Sequence, residues 1–265
     1  MKRKLLCGLL AALVLSAGTV RAAPSGRVVA VQVDGTMLRT GVSYLDKGVT
    51  YVPLRGLLDA FGGWSVWWDS GERTAEAASD SHRVSADPAA DTVTVNGRTY
   101  SGKVFVERGR TYVPLRTTVT ALGGGVAWDP YLGGAAVTSP GAEHDAADLY
   151  WLSRIISAES RGETMEGQIA VGNVVLNRVA AEEFPDTIPD VIFDRKHDVQ
   201  FTPVSNGTVY LRPAAASVEA AKRALDGENV VGEAKYFYAP ALSQGVWINA
   251  NRTYHMTIGC HRFYL

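Results

Sequence analysis

The sequence predicts an α+β protein in two parts. A two-repeat α/β domain with small mixed sheets is expected over residues 27–138, and a mainly helical domain with a small β region over residues 147–265. Three observations carry this. A strand–helix–strand pattern occurs twice in the first half, 61 residues apart. From Leu149 onward, apolar residues recur at helical spacings of three and four. Between the two patterns, Ser139-Pro140-Gly141-Ala142-Glu143 breaks both periodicities, so 139–146 reads as a linker.

A chain of 265 residues, 46% hydrophobic and 20% charged, is long enough for two domains with a core each. Residues 1–22 read as a signal peptide. Lys2, Arg3 and Lys4 precede an apolar run from Leu5 to Ala17, and Val20-Arg21-Ala22 offers small residues at the cleavage positions. That run is short for a membrane span, and no later segment is apolar enough, so no stable span is expected after cleavage. Export is then expected. The formal charge falls from −1 to −5 once the basic residues Lys2, Arg3, Lys4 and Arg21 are removed. Such a balance argues against nucleic acid as a partner. It provides no general attraction to anionic polymers either. Of the two cysteines, Cys7 lies in the leader, leaving Cys260 without an intramolecular partner; its simplest reading is a small buried apolar residue.

In the first half, Tyr51-Val52-Pro53-Leu54-Arg55 returns as Tyr112-Val113-Pro114-Leu115-Arg116. Each copy continues through apolar positions (Leu57, Leu58 and Phe61; Val119 and Leu122) to a glycine run, then to Val66, Trp68 and Asp69 or to Val126, Trp128 and Asp129. Proline suits the first helical turn because its missing N–H is not needed there. Glycine suits the helix end because it accepts positive φ. The alternating Trp-bearing segments that follow read as strands. Upstream, Val29 to Val33 and Thr92 to Val95 read as strands leading into the hairpin turns Asp34-Gly35 and Asn96-Gly97.

The two copies resemble the repeat of copper amine oxidase N-terminal-like domains over residues 27–138. His82 is the one histidine of that stretch and it has no cysteine, so no copper site is expected. A stalk or targeting role follows. Trp64, Trp67 and Trp68 read first as core and second as a sugar-stacking surface.

In the second half, Leu149, Leu152, Ile156 and Glu159 share one helical stripe that is apolar until its last member. Arg161-Gly162 is expected to end that helix. A second helix, 164–181 with Thr164 as cap, is apolar around most of its circumference and reads as buried; Glu166, Asn173 and Asn177 form its polar stripe. A short helix is expected to start in Asp186-Thr187-Ile188-Pro189-Asp190 and end near Phe193, followed by an extended stretch over Gln200 to Val204 and a helix from Ala214 to Asp226 closed by Gly227. A strand at Tyr236-Phe237-Tyr238 leads, with Trp247 and the run from Ile258 to Tyr264, into a small β region.

A carboxyl on the core side of a helix is partly desolvated, which raises its pKa. A general acid for glycoside cleavage needs that property. Ser157-Ala158-Glu159-Ser160-Arg161-Gly162-Glu163, followed by Glu166-Gly167-Gln168-Ile169-Ala170-Val171 and Val175-Leu176-Asn177-Arg178-Val179, resembles the SleB-type cell wall hydrolase family. Phe184-Pro185-Asp186-Thr187-Ile188, Gln200-Phe201-Thr202, Tyr236-Phe237-Tyr238-Ala239-Pro240 and Ile258-Gly259 with His261 and Phe263 add to it, covering nearly all of 147–265 in order.

The resemblance implies a lysozyme-like, mainly helical catalytic domain acting on peptidoglycan glycan strands in the cell wall or spore envelope. It implies Glu159 as the acid–base residue, with no cofactor or metal. The expected reaction is lytic transglycosylation, in which the muramic 6-hydroxyl is the nucleophile. Glu163, Glu166, Asn173, Asn177, Phe201, Tyr236, Tyr238 and Trp247 are the candidate substrate-binding residues. Two alternatives stay open. One is a muramidase-type hydrolase with Glu163 or Glu166 as second carboxylate. The other is an amidase with zinc on His197, His255 and His261, the last two placed by an even spacing on one face of one strand.

Overall fold

The computed structural model describes residues 26–196 and 200–265. The signal-peptide reading and His197 lie outside the described residues.

The chain begins with β1 (Arg27–Val33), β2 (Thr36–Met37), β3 (Ser43–Asp46), β4 (Val49–Pro53) and α1 (Leu54–Phe61). A meander follows: β5 (Ser65–Asp69), β6 (Thr74–Ala78), β7 (Arg83–Asp87), β8 (Thr92–Val95) and β9 (Arg98–Ser101). The second copy supplies β10 (Phe105–Glu107), β11 (Arg110–Pro114), α2 (Leu115–Ala121), β12 (Gly125–Asp129) and β13 (Gly134–Thr138). Pro53 and Pro114 stand one position ahead of the expected first helical turn, as extended N-caps of α1 and α2 that end β4 and β11, and Gly62 (φ 77°) and Gly123 (φ 92°) turn the chain behind the helices. Asp34-Gly35 and Asn96-Gly97 join the hairpins β1–β2 and β8–β9.

The two copies meet on each other. β4 and β11 pair antiparallel, with Val52 opposite its own counterpart Val113. A local pseudo-twofold axis therefore passes between these two valines, relating β10-β11 to β3-β4 in the sheet order β10-β11-β4-β3-β1-β13-β12, with β2 on β1. The parallel pair β1–β13 brings the first strand beside the last, and β5 to β9 form the second sheet. Leu54, Leu57, Leu115 and Val119 of the two helices fill the space between the sheets.

The second half is built from α3 (Ala146–Ser160), α4 (Met165–Val179), α5 (Ile188–Phe193), α6 (Thr202–Asn206), a single 3-10 turn at Thr208–Tyr210 and α7 (Ala215–Leu225). β14 (Tyr236–Tyr238), α8 (Val246–Asn251), β15 (Tyr254–Ile258) and β16 (His261–Tyr264) complete it. Thr164 caps α4 through its hydroxyl, which accepts from Gly167 N at 3.2 Å. α4 is the buried helix its composition demands, with Ile169, Val171, Val174 and Val175 fully enclosed. No described helix is long and apolar enough to cross a membrane.

Three local expectations are corrected. Gln200 to Val204 is not an extended stretch throughout: Thr202 opens α6, with Pro203 in the first turn and Gly207 closing it in the left-handed region (φ 78°). Trp247 lies in α8, not in a strand. Cys260 is exposed in the tight turn between β15 and β16 instead of buried.

Segment 139–146 is short and tied at both ends. Ser139 N donates to Asp34 Oδ1 (2.9 Å), His144 Nε2 lies 2.9 Å from Asp226 Oδ1, and Asp145 caps α3 by accepting from Ala147 N and Asp148 N. The core of the second half also continues across it. Met37, Tyr131 and Leu132 pack against the cluster around Leu149, Tyr150 and Trp151. Tyr131 stacks on Phe193 (ring centroids 4.2 Å apart), and its hydroxyl donates to Asp190 Oδ1 (2.6 Å). The fully buried Trp151 donates its indole N–H to Asp129 Oδ2 at 2.7 Å. The halves thus share buried surface, which a break in periodicity does not announce.

Candidate active site

The site begins with the stripe on α3. Leu149, Leu152 and Ile156 are buried, and Glu159, the fourth member, is half-buried one residue before the helix ends. Burial pushes the Glu159 carboxyl up from its ordinary 4.5 to about 7. The negative end of the helix dipole, where this residue stands, acts in the same direction. The chain then turns sharply, with Glu163 N donating to Ser160 O (2.8 Å), and re-enters a helix at Thr164.

Glu163, four residues on, has a different environment. Its Oε2 accepts from Cys260 N at 3.1 Å, and its Oε1 lies 3.8 Å from His261 Nδ1. Gly259, at φ 56°, makes this approach possible, because a Cβ there would fall 1.8 Å from Glu163 Oε2. Gln168 completes the clamp: its Nε2 donates to Glu163 O (3.1 Å) while its Oε1 accepts from Ser217 Oγ of α7 (2.7 Å). The Glu163 carboxylate therefore holds the β15–β16 turn against the α3–α4 corner. Glu166 is exposed in the first turn of α4.

The two asparagines serve the frame rather than a groove. Asn173 is 2% exposed; its Nδ2 donates to Glu228 O (2.7 Å) and its Oδ1 accepts from Val230 N (2.9 Å). Asn177 Nδ2 donates to Gly232 O (2.7 Å) and Ala234 O (2.8 Å). Both moor the 228–234 segment to α4, because polar groups on a buried helix need partners. Asn173→Ala should cost about 2–3 kcal/mol in urea unfolding, since it strands one backbone donor and one acceptor. A neutral result would show the segment is held by other contacts.

The aromatic candidates separate by exposure. Phe201 is 2% exposed and packs on Phe237, so it is core and has no face for a ligand. Tyr236 is half-buried, with Arg178 and Arg252 over its ring at 5.4 and 4.4 Å. Arg252 also covers Trp247 (4.9 Å) and donates to Tyr236 Oη (2.9 Å). The Tyr238 hydroxyl accepts from Asn249 Nδ2 (3.0 Å), and Trp247 is 58% exposed. Tyr236, Arg252 and Trp247 form one stack, and Trp247 is its solvent-facing end.

Arg178 was not singled out from the sequence. It is 5% exposed, enclosed by Phe184, Phe201 and Tyr236, and donates from Nε to Lys235 O (2.7 Å). Burial lowers its pKa to about 10, still well above neutrality. An arginine inside an otherwise apolar helix was the signal. The zinc arrangement drawn from even spacing is corrected: His255 is exposed on β15 and His261 is buried on β16, because Gly259-Cys260 reverses the chain between them.

A family model described as cell wall hydrolase matches residues 162–264, and one described as copper amine oxidase N-terminal domain matches residues 32–132. Glu159 stands just ahead of the first span. A spore cortex-lytic enzyme of Bacillus cereus is 37% identical over 101 residues, covering 38% of this chain and 38% of that protein. Cell wall hydrolase CwlJ of Oceanobacillus iheyensis is 28% identical over 104 residues, 37% of this chain and 72% of that protein. Among solved structures, the catalytic domain of the germination-specific lytic transglycosylase SleB from Bacillus anthracis aligns at 34% identity with a TM-score of 0.42, covering 46% of this chain and 98% of that one. The chain thus spans about 38% of the length of the Bacillus cereus relative.

Proposed function

From a chain that carries a SleB-type cell wall hydrolase domain behind a copper amine oxidase N-terminal-like domain, we propose an exported enzyme that cleaves peptidoglycan glycan strands by lytic transglycosylation. The observation that supports it most is Glu159, a half-buried carboxyl at the end of α3 whose pKa of about 7 lets it hold a proton near neutrality. Glu159 donates that proton to the oxygen between N-acetylmuramic acid and N-acetylglucosamine. The C1–O bond breaks and leaves an oxocarbenium-like muramic ring. The ring's 6-hydroxyl bonds to C1, its proton passes to the Glu159 carboxylate, and a 1,6-anhydro end results. The acid is regenerated without water or a second carboxylate.

Glu163 supports this economy, since its carboxylate already accepts from Cys260 N and faces His261. A hydrolase would need a carboxylate free to activate water. Trp247, with Arg252 and Tyr236 behind it, is the aromatic platform best placed to meet a sugar face. The relatives are named for spore cortex and cell wall, and we assign this chain to that same compartment, the wall or spore envelope outside the membrane.

Mass spectrometry of digested peptidoglycan tests the reading. Anhydromuramic ends are expected. Reducing muramic ends would assign a hydrolase, and released peptide stems an amidase.

A further inference from the structure

The pseudo-twofold axis of the first half produces two grooves. One is walled by Pro53, Leu54 and Arg55 at the start of α1 and by Val66 and Trp68 on β5. The other is walled by Pro114, Leu115 and Arg116 at the start of α2 and by Val126 and Trp128 on β12. These are the same positions of the two copies. The remaining wall is exchanged: Gly109-Arg110-Thr111 of the second copy closes the first groove, and the equivalent Gly48-Val49-Thr50 of the first copy closes the second. The antiparallel pairing of β4 with β11 brings each copy's turn beside the other's helix start. The groove volumes are about 130 and 670 Å³.

Each groove presents a tryptophan face. Trp68 is 45% exposed and Trp128 43%, and both lie on edge strands, open on the unpaired side. Folding left these two large rings in water although the same domain buries four leucines of its helices completely or nearly so. Each groove also fixes an arginine. Arg55 donates to Val66 O (2.7 Å) and Arg116 to Val126 O (2.6 Å), so each guanidinium is held beside its tryptophan strand. Arg110 adds a second cation to the first groove. Arg27, whose guanidinium carbon is 5.7 Å from the Trp128 ring centroid, adds one to the second. Neither groove is lined by any acidic residue.

We propose that the two grooves are a pair of glycan-binding sites for peptidoglycan strands. This rests on the proposed function for the identity of the polymer, not for the chemistry of the sites. The C–H face of a pyranose is apolar and weakly positive, and it stacks on the negative face of an indole. Ring hydroxyls, N-acetyl carbonyls and the carboxylates of peptide stems give the arginines acceptors. An open concave site with one aromatic wall and few fixed polar groups is the form such a ligand requires. The two grooves are separate, so each receives its own segment of glycan strand. Binding is therefore bivalent on a multistranded wall and monovalent on a short soluble fragment.

The test uses the full chain carrying Glu159→Gln, which separates binding from cleavage, in sedimentation with insoluble peptidoglycan. Trp68→Ala and Trp128→Ala should each weaken binding about tenfold, and the double variant about 100-fold, because bivalency is lost with either site. Trp68→Phe and Trp128→Phe should keep most of the binding, which excludes a folding defect as the cause. In the otherwise native chain the double alanine variant should cleave soluble glycan fragments at the native rate. A folded double variant that binds insoluble peptidoglycan as well as its parent overturns the proposal. So does a native chain that self-associates through these tryptophans, which would make the grooves a protein interface. If Glu159→Gln is active, the catalytic reading fails and the binding result still stands.

Discussion

Glu159→Gln is expected to lower turnover by at least about 10²–10⁴-fold, the usual worth of one acid–base residue, and by more because the same carboxyl serves both proton transfers. The variant keeps size and polarity and removes the proton of useful acidity. Its pH signature follows from the sign of the shift. The carboxyl is raised to about 7, and in the proposed mechanism the competent form is the protonated one. In the native protein kcat/KM should hold level below that value and fall about tenfold per pH unit above it. A rate that rises through pH 7 would mean that Glu159 acts first as a base, and near-native turnover in the variant would remove the mechanism.

The same shift predicts a change in stability. A carboxyl whose folded pKa lies above its ordinary 4.5 binds more protons folded than unfolded. Its favourable contribution is complete below pH 4.5 and is lost as pH rises through 7. Above neutrality the native chain gives up about 3 kcal/mol on this account. Glutamine never ionises, so Glu159→Gln should match the native chain in denaturant stability at pH 4 and exceed it at pH 8. Loss of activity together with gain of alkaline stability is the mark of a group kept buried for its chemistry.

How much of this was legible depended on whether the signal was local. The stripe through Leu149, Leu152, Ile156 and Glu159 is a periodicity, and α3 carries it as read. The repeat was legible as Pro53 and Pro114 opening helices and glycines closing them. What the chain brings together over long separations was not. Phe201 and Trp247 both read as aromatic candidates, yet only the fold decides that one is core and the other exposed. Glu163 read as a spare carboxylate until the turn at Gly259-Cys260 came back to it across 97 residues. Trp68 and Trp128 occupy segments that read as strands, but no pattern says that both lie on sheet edges. Segment 139–146 hides a contact for a similar reason: Pro140 and Gly141 break periodicity, but the surfaces they join are apolar and meet.

That meeting has a built-in control, because the repeat places one aspartate at the interface and its counterpart away from it. Asp69 Oδ1 accepts from Gly71 N (2.8 Å) and Glu72 N (3.0 Å), and closes a surface turn. Asp129 Oδ1 accepts from Tyr131 N and Leu132 N at 3.0 Å in the same turn. Asp129 is 3% exposed, and its other oxygen takes the indole N–H of the fully buried Trp151. Asp69→Ala should cost about 1 kcal/mol, the worth of a solvent-backed turn, whereas Asp129→Ala should cost about 3–4 kcal/mol. The excess arises because an indole N–H is left buried without an acceptor and a charge-assisted bond is lost. Tyr131, released from its turn, also loses its stack on Phe193 and its bond to Asp190. Urea unfolding followed by tryptophan fluorescence measures both variants on the same scale. Fragment 147–265, which lacks Met37, Asp129, Tyr131 and Leu132 altogether, should unfold at lower urea than the full chain and show a red-shifted Trp151. Equal costs for the two aspartates, or a fragment as stable as the full chain, would mean the halves touch without stabilising each other. With the expected difference, the repeat domain is a structural wall of the catalytic half, and the orientation of its two grooves relative to Glu159 is fixed by Asp129 and Trp151.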